Sequence, residues 1–264
     1  MKNKILSQIT TECPWRDTLY WHSHTDSTND QAKKLAKDGA PHGTVVIAGR
    51  QSKGRGRLGR SFSSAEGMGV YLSVILRPNC PPDTLMHLTC AAAVAGCDAV
   101  EAVCGIRPQI KWTNDLVWEK KKLGGILTEL SVVNGIVEYA VIGIGINCLQ
   151  NTEDFPEELR QIATSLQMAS NAPCSPAVLS AALVEALWRM NEGLHTRKIS
   201  VMDTYRSGCV TIGQDIVLVQ GDETRYGKAL GVDDDGGLEV CFSDGTMKIV
   251  SSGEVSVRGM YGYV

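Results

Sequence analysis

Residues 49–60 read Gly-Arg-Gln-Ser-Lys-Gly-Arg-Gly-Arg-Leu-Gly-Arg. No regular helix or strand suits such a stretch. Glycine spreads the backbone over many conformations, and four arginines within eleven residues repel one another unless an anion lies among them. An irregular cationic loop is therefore expected between two stable elements. The apolar runs on either side, residues 44–48 and 70–76, read as strands. Gly54, Gly56 and Gly59 satisfy G-x-G-x-x-G, but that fingerprint has to open a helix, and here a strand comes next. No Walker A pattern occurs either. What remains is a loop whose amides can surround an anion and whose forked guanidiniums, on Arg55, Arg57 and Arg60, can grip phosphate or carboxylate. A solvated basic loop and a nucleic-acid contact are the alternatives. The anionic ligand is the preferred reading.

The rest of the chain supplies elements around that loop. Residues 26–39 read as a helix, with Thr28 and Gln31 in capping-box spacing. Residues 85–103 form a second, largely apolar helix. Residues 110–118 and 123–130 read as a strand pair turning at 119–121, and 137–146 as another strand. Ser175-Pro176 starts a helix with Leu179, Leu183, Leu187 and Met190 on one stripe. Residues 1–20 give no element. After residue 212 the texture changes to five short alternating runs with turns at Asp235-Gly236-Gly237 and Asp244-Gly245. The expected fold is α+β, a mixed or antiparallel sheet with helices over residues 1–211, plus a small all-β module over 212–264.

Bulk properties exclude some classes. The net charge of -3 lacks the basic excess of a nucleic-acid or membrane-surface binder. No run is expected to be long and apolar enough to span a membrane, and the N-terminus lacks a signal-peptide core. Nine cysteines without a Cys-x-x-Cys pair fit scattered free thiols in a reducing, cytoplasmic setting. Cys90, Cys97 and Cys104, seven apart, read as one buried stripe of a helix rather than metal ligands.

Three further segments carry chemistry. Lys111-Trp112-Thr113-Asn114-Asp115 sets a cation, an aromatic, an amide and a carboxylate at one strand end. Lys111 could meet a phosphate, Asn114 a base or sugar edge, and Asp115 a magnesium ion. A polar strand end leading into a turn is the alternative for each. Lys120 and Lys121 read as a solvated hairpin tip. Lys122 opens the returning strand Leu123-Gly124-Gly125-Ile126-Leu127 and can point into a glycine-floored pocket. Gly143-Ile144-Gly145-Ile146-Asn147 is a similar glycine-interrupted strand.

Taken in order, Asp26-Ser27-Thr28-Asn29, Gly54-Arg55-Gly56-Arg57-Leu58-Gly59-Arg60, residues 111–115, residues 122–127 and residues 143–147 resemble the biotin–protein ligases, over essentially the whole chain from about residue 20. Residues 252–258 resemble the end of that family's C-terminal barrel. The resemblance implies a class II synthetase-like, biotin-lipoate ligase catalytic domain with a small SH3-like β-barrel after it. It implies that Ser27, Thr28 and Asn29 border the biotin rings, and that Gln51, Gly54, Arg55, Gly56 and Arg57 contact biotin and the activated phosphate. Lys122, beside Gly125, would lie against the biotin carboxylate and the α-phosphate. Arg57, Arg60, Lys111, Asn114, Asp115 and Asn147 would face the nucleotide or its metal. Thr113 stands where the family usually has proline, and Phe62 where tryptophan is common.

The implied activity is ATP-dependent formation of biotinoyl-5′-AMP, followed by transfer of biotin to a lysine of a biotin carboxyl carrier protein, the subunit of a biotin-dependent carboxylase. Lys122, Arg55, Arg57 and Asp115 would be catalytic, with Mg2+ expected beside ATP and Asp115 a candidate base. A homodimer is compatible with the resemblance. A lipoate-type ligase is one alternative, but none of the five histidines stands in the expected His-Asp pair. A biotin-responsive repressor is another. Only about 20 residues precede the Ser-Thr-Asn motif, too few for a helix-turn-helix domain, so no DNA binding is expected. Glu254 and Arg258, on the last strand, are expected to reach the shared cleft.

Overall fold

The computed structural model describes residues 1–170, 174–220, 222–251, 254–257 and 260, with no description of the Glu254 side chain. Arg258 and the side chain of Glu254 thus lie outside the described residues. The elements in chain order are α1 (Lys2–Leu6), β1 (Leu19–Thr25), α2 (Thr28–Lys37), β2 (Thr44–Gln51), β3 (Gly69–Leu76), α3 (Leu88–Cys104), β4 (Gln109–Lys111), β5 (Asp115–Trp118), β6 (Lys121–Val133) and β7 (Ile136–Asn147). Then follow α4 (Leu166–Ala169), α5 (Pro176–Glu192), α6 (Lys198–Gly208), β8 (Asp215–Gln220), β9 (Glu223–Val232), β10 (Leu238–Phe242), β11 (Met247–Val250) and β12 (Glu254–Val257).

Strands one to seven form one sheet in the order β1-β2-β3-β7-β6-β5-β4. Only β1 and β2, linked through α2, run parallel; the other neighbours are antiparallel, giving the expected mixed α+β architecture. Alternation along the strands sorts side chains to two faces. Val46, Ile75, Tyr139 and Val141 pack with Ala32 and Ala36 of α2. Val45, Ile47, Leu72, Val74, Ile142 and Ile144 join the larger core beneath α3 and α5. With both faces covered, β2 and β3 are nearly continuous in apolar residues, and that is why they read so clearly. Asn134 and Gly135, both at positive φ (51° and 78°), close the long β6–β7 hairpin.

Several expectations need correction. The helix after Asp26 is capped by Ser27, whose side chain accepts from the Asp30 amide, so Thr28 is the first helical residue and its hydroxyl is available elsewhere. The stretch 110–118 is two short strands. Between them the Trp112-Thr113 peptide is cis, and Asn114 turns to pair with Ile126 through backbone and side chain. β1 and α6 have weak patterns and are visible only in three dimensions. The 23-residue stretch Pro82–Cys104 is long and apolar enough to cross a membrane, contrary to the sequence reading; 72% of its apolar window is buried against the sheet and α5, which accounts for its composition. Cys90, Cys97 and Cys104 do lie buried in α3, and burial pushes the Cys90 and Cys97 thiols up to about 12.

The C-terminal module is a five-stranded antiparallel sheet, β11-β10-β9-β8-β12. It is open among the described residues, not the closed barrel expected. β11 and β12, four residues each, occupy opposite edges and are not paired with each other among the described residues. One of its ties to the larger part of the chain runs through Trp112; Arg206 of α6 makes another, donating to the Val232 carbonyl (3.0 Å). The Trp112 amide donates to Thr211 Oγ1 (2.9 Å), and its indole Nε1 donates to the Gly236 carbonyl (2.8 Å), both buried. Trp112→Phe keeps a ring in place but orphans that carbonyl. It should lower unfolding free energy by about 2 kcal/mol in urea denaturation; a loss under about 0.5 kcal/mol would mean the indole bond contributes nothing to the coupling.

Candidate active site

Two cavities meet over the large sheet. The first, about 150 Å³, is lined by Ser27, Thr28, Asn29, Gln51 and the loop residues Arg55–Phe62 apart from Gly59. Lys111, Trp112, Asn114, Asp115, Lys122 and Gly125 complete it, with Gly143 and Gly145 on the floor. The second, about 460 Å³, shares Arg60, Ser61, Phe62, Lys111, Asp115 and Lys122, and extends past Asn147 to Phe155, Leu159, Ile162 and Ala163. Ser256 and Met260 close it from the C-terminal module. Every expected site residue except Gly54 therefore lines one of the two spaces, with Asn147 in the larger only. A Cβ on Gly54 would overlap the Phe62 carbonyl; that glycine serves the loop's own closure.

The loop is built as a narrow turn. Phe62 N donates to Gly54 O (2.9 Å), Gly56 N donates to Arg60 O (2.7 Å), and Leu58 and Gly59 take positive φ (55° and 75°) at the tip. Arg55, expected among the catalytic cations, points to Asp30 (2.6 Å) and Glu129 (3.3 Å), which Lys33 also joins. Burial alone would raise the Asp30 carboxyl. Hydrogen bonds from Lys33 and Arg55 more than offset that, holding it below the usual carboxylate value. Arg55 thus ties the loop to α2 and β6. Arg57 reaches the centre, donating to Asn114 Oδ1 (3.1 Å), while Asn114 Nδ2 donates to Ile126 O (2.8 Å).

Lys122 and Asp115 face each other across β6 and β5, with Nζ 2.6 Å from Oδ1. Gly125 leaves room beside them: a Cβ there would already sit 3.4 Å from the Asp115 carboxylate and 3.6 Å from Lys122 Nζ. Lys111 is nearly buried at 8% exposure and lines both cavities. Cations thus gather where the two spaces join. The far wall of the larger cavity, Phe155, Leu159, Ile162 and Ala163, was not read from the sequence. Its apolar residues at spacings of three and four, in an otherwise polar segment, are the one hint. Lys122 holds this segment in place, its amide donating to Ile162 O (2.7 Å) and its carbonyl accepting from Thr164 N (2.8 Å). Asn147 Nδ2 donates to Thr164 O (2.9 Å), so its amide props the same segment.

The other end of the small cavity is polar and buried. Thr28 N donates to Gln51 Oε1 (2.8 Å). Ser73, fully buried on β3, places Oγ 2.8 Å from Thr28 Oγ1 and 2.6 Å from Asn29 Oδ1. Asn29 Nδ2 donates to Glu129 Oε2 (2.9 Å) and to Leu127 O (3.3 Å). This end offers neutral hydrogen-bonding groups over a glycine floor.

The donor set does not suit a metal held by the protein. Asp115 is the one carboxylate lining either cavity among the described residues, and it is bonded to Lys122. No group of three or more acidic, histidine or cysteine side chains converges among the described residues.

Asn29 lies so close over Gly143 that a Cβ there would overlap its carboxamide. Three hydrogen bonds hold that amide, so Gly143→Ala should displace Asn29 and abolish ligand binding in the small cavity while the protein stays folded. Isothermal titration with biotin, the ligand that the sequence resemblance implies, alongside circular dichroism measures both; unchanged affinity would show that the floor tolerates a methyl group.

Residues 21–147 match the biotin/lipoate A/B protein ligase family, and residues 211–258 match the biotin protein ligase C-terminal domain. The chain is 41% identical over 239 residues to the bifunctional ligase/repressor BirA of Bacillus spizizenii, covering 89% of this chain and 72% of that protein. It is 32% identical to the biotin–[acetyl-CoA-carboxylase] ligase of Mycobacterium tuberculosis, covering 88% of this chain and 86% of that one. The structure superposes on the biotin protein ligase of Aquifex aeolicus in complex with biotin and ATP with a TM-score of 0.74, at 30% identity, covering 91% of this chain and 98% of that one. With the cationic loop, the paired lysine and the glycine-floored cleft in place, the chain belongs to the biotin protein ligase family.

Proposed function

We propose that the chain forms biotinoyl-5′-AMP from biotin and ATP, and then transfers the biotinoyl group to a lysine of a biotin carboxyl carrier protein in the cytoplasm. One observation carries this reading: a small pocket with a neutral polar end opens onto a larger, partly apolar cavity, and Lys122, Lys111, Arg57 and Arg60 stand at or beside the junction. A bicyclic urea with a carboxylate tail suits the first space. An adenosine suits the second, its base against Phe155, Leu159 and Ile162. The carboxylate and the α-phosphate then meet at the cations.

In the first step a biotin carboxylate oxygen attacks the α-phosphorus, and the bond to the bridging oxygen of pyrophosphate breaks. Two anions approach, so the chain's contribution is positive charge held in position. Lys122 would leave Asp115 to lie between carboxylate and phosphate, and Arg57, steadied by Asn114, would follow the phosphate. In the second step the carrier lysine's neutral amine attacks the acyl carbon and AMP leaves. Asp115, released from Lys122, is the nearby carboxylate able to take the amine's proton. No step is assigned to a metal held by this chain.

The reading fails at once if the purified protein releases pyrophosphate from ATP with lipoate rather than with biotin. With biotin as substrate, Lys122→Ala should slow pyrophosphate release about 100-fold or more, the loss of one electrostatic contact worth about 3 kcal/mol in the transition state, while Lys121→Ala stays close to wild type. The reverse pattern would assign the wrong lysine.

Ligand should also order the loop, because Arg60, Ser61 and Phe62 line both cavities and its tip is exposed, with Leu58 at 70%. Limited trypsin digestion should cut at Lys53–Arg60 more slowly when biotin and ATP are present; equal rates would exclude closure of the loop on the adenylate.

A further inference from the structure

The buried end of the small cavity has a fixed supply of protons, and counting them determines what its ligand must present. Asn29 Nδ2 faces two groups that can only accept, Glu129 Oε2 (2.9 Å) and Leu127 O (3.3 Å). The Asn29 amide is therefore oriented, with Oδ1 toward Ser73 as an acceptor. Ser73 Oγ lies 2.6 Å from that oxygen, a separation that requires a proton between them. Ser73 has one hydroxyl proton, and it is spent there. Its other contact, 2.8 Å to Thr28 Oγ1, must then carry the Thr28 proton toward Ser73. Thr28 Oγ1 also lies 3.1 Å from Gln51 Oε1, but that oxygen already accepts the Thr28 amide, and a hydroxyl proton directed there would leave two oxygens 2.8 Å apart with none between.

We propose that Ser73 and Glu129 are positioning residues that turn the Thr28 hydroxyl into an obligate acceptor toward the cavity, so that the site selects a ligand with an N–H donor at that point. The chain of donation runs from ligand N–H to Thr28, Thr28 to Ser73, Ser73 to Asn29, and Asn29 to Glu129. Neither Ser73 nor Glu129 lines the small cavity, so each acts through its neighbours. Ser73 is fully buried in a central strand otherwise made of apolar residues and glycine, with register partner Gly143. A hydroxyl in such a place costs stability unless its bonds are made. This inference rests on the biotin reading, whose ureido ring supplies such N–H groups.

The test compares biotin with its two cyclic carbamate analogues, each with one ureido N–H replaced by oxygen, by isothermal titration. Wild type should bind one carbamate about 10- to 100-fold more weakly than biotin, because an acceptor would face an acceptor. Ser73→Ala releases the Thr28 hydroxyl to turn and donate, so that ratio should shrink toward unity even as biotin affinity falls. A merely structural role would weaken biotin and carbamate equally and leave the ratio intact, and that result overturns the inference. So does a wild type that binds both carbamates as tightly as biotin. Should Ser73→Ala fail to fold, Glu129→Gln decides. Glutamine can donate to Asn29, letting its amide turn over at the loss of only the longer contact to Leu127 O (3.3 Å), so that the whole chain of protons reverses; an unchanged ratio there overturns the inference as well. A wild-type protein with no affinity for biotin defeats the functional reading itself, a distinct outcome.

Discussion

Two glycines on β7, Gly143 and Gly145, point to the same face of the central sheet, and the site depends on the trough they leave. Asn29 occupies the space over Gly143, and the Phe62 ring occupies that over Gly145. Across the ladder, Gly145 is paired with Gly125 of β6 and Gly143 with Ser73 of β3. Small residues thus cluster where four elements approach closely: α2 brings the polar residues, the loop brings Phe62 and the arginines, and β5 and β6 bring Asp115 and Lys122. In a sheet with both faces covered, side chains of ordinary size at these positions would fill the cleft.

The electrostatics follow from that packing. A loop with four arginines is unfavourable in isolation, and the fold handles the excess by giving its members different tasks. Arg55 is neutralised by Asp30 and Glu129 and becomes a tether. Arg57 lines the small cavity and donates to a neutral amide, Asn114. Lys122 rests on Asp115 at the junction of the two spaces. Such a pair, at 37% and 15% side-chain exposure, is neither fully solvated nor fully buried. An anion entering the cavity can therefore compete for the ammonium without first meeting the desolvation penalty of a deeply buried ion pair.

Much of this was legible in the sequence, and the limits have physical causes. Residues 44–48 and 70–76 announced themselves because strands buried on both faces must be apolar throughout. The loop announced itself because glycine and arginine at that density fit nothing else. Ser27, Thr28 and Asn29 were singled out, but the division of labour between them was not. Capping requires only a short polar side chain, which both Ser27 and Thr28 have, and the choice is made by where the chain enters the helix. β1 was missed because as the sheet's edge strand it alternates His22, Ser23 and His24 with few apolar residues. The break at Trp112–Asn114 was missed because it depends on Ile126, a partner twelve residues from Asn114 across the sheet. That the C-terminal sheet is open among the described residues also had no local signal, since five short alternating runs read alike whether or not the edge strands meet.

Glu129 shows how a residue outside the cavity joins its two functions. One carboxylate oxygen accepts from Asn29, at the polar floor, and the other faces Arg55 and Lys33, at the base of the cationic loop. The floor offers neutral hydrogen-bonding groups, whereas the loop carries charge, and these place opposite demands on their surroundings. A neutral recognition site needs fixed amides, and a charged loop needs a tether that does not drain the centre of positive charge. A single carboxylate on a rigid central strand meets both, because each oxygen faces a different element. A shift of the Glu129 side chain would thus reach both the orientation of Asn29 and the anchoring of Arg55. The neutral polar end of the small cavity and the base of the cationic loop are coupled through one side chain that lines neither the small cavity nor the larger one.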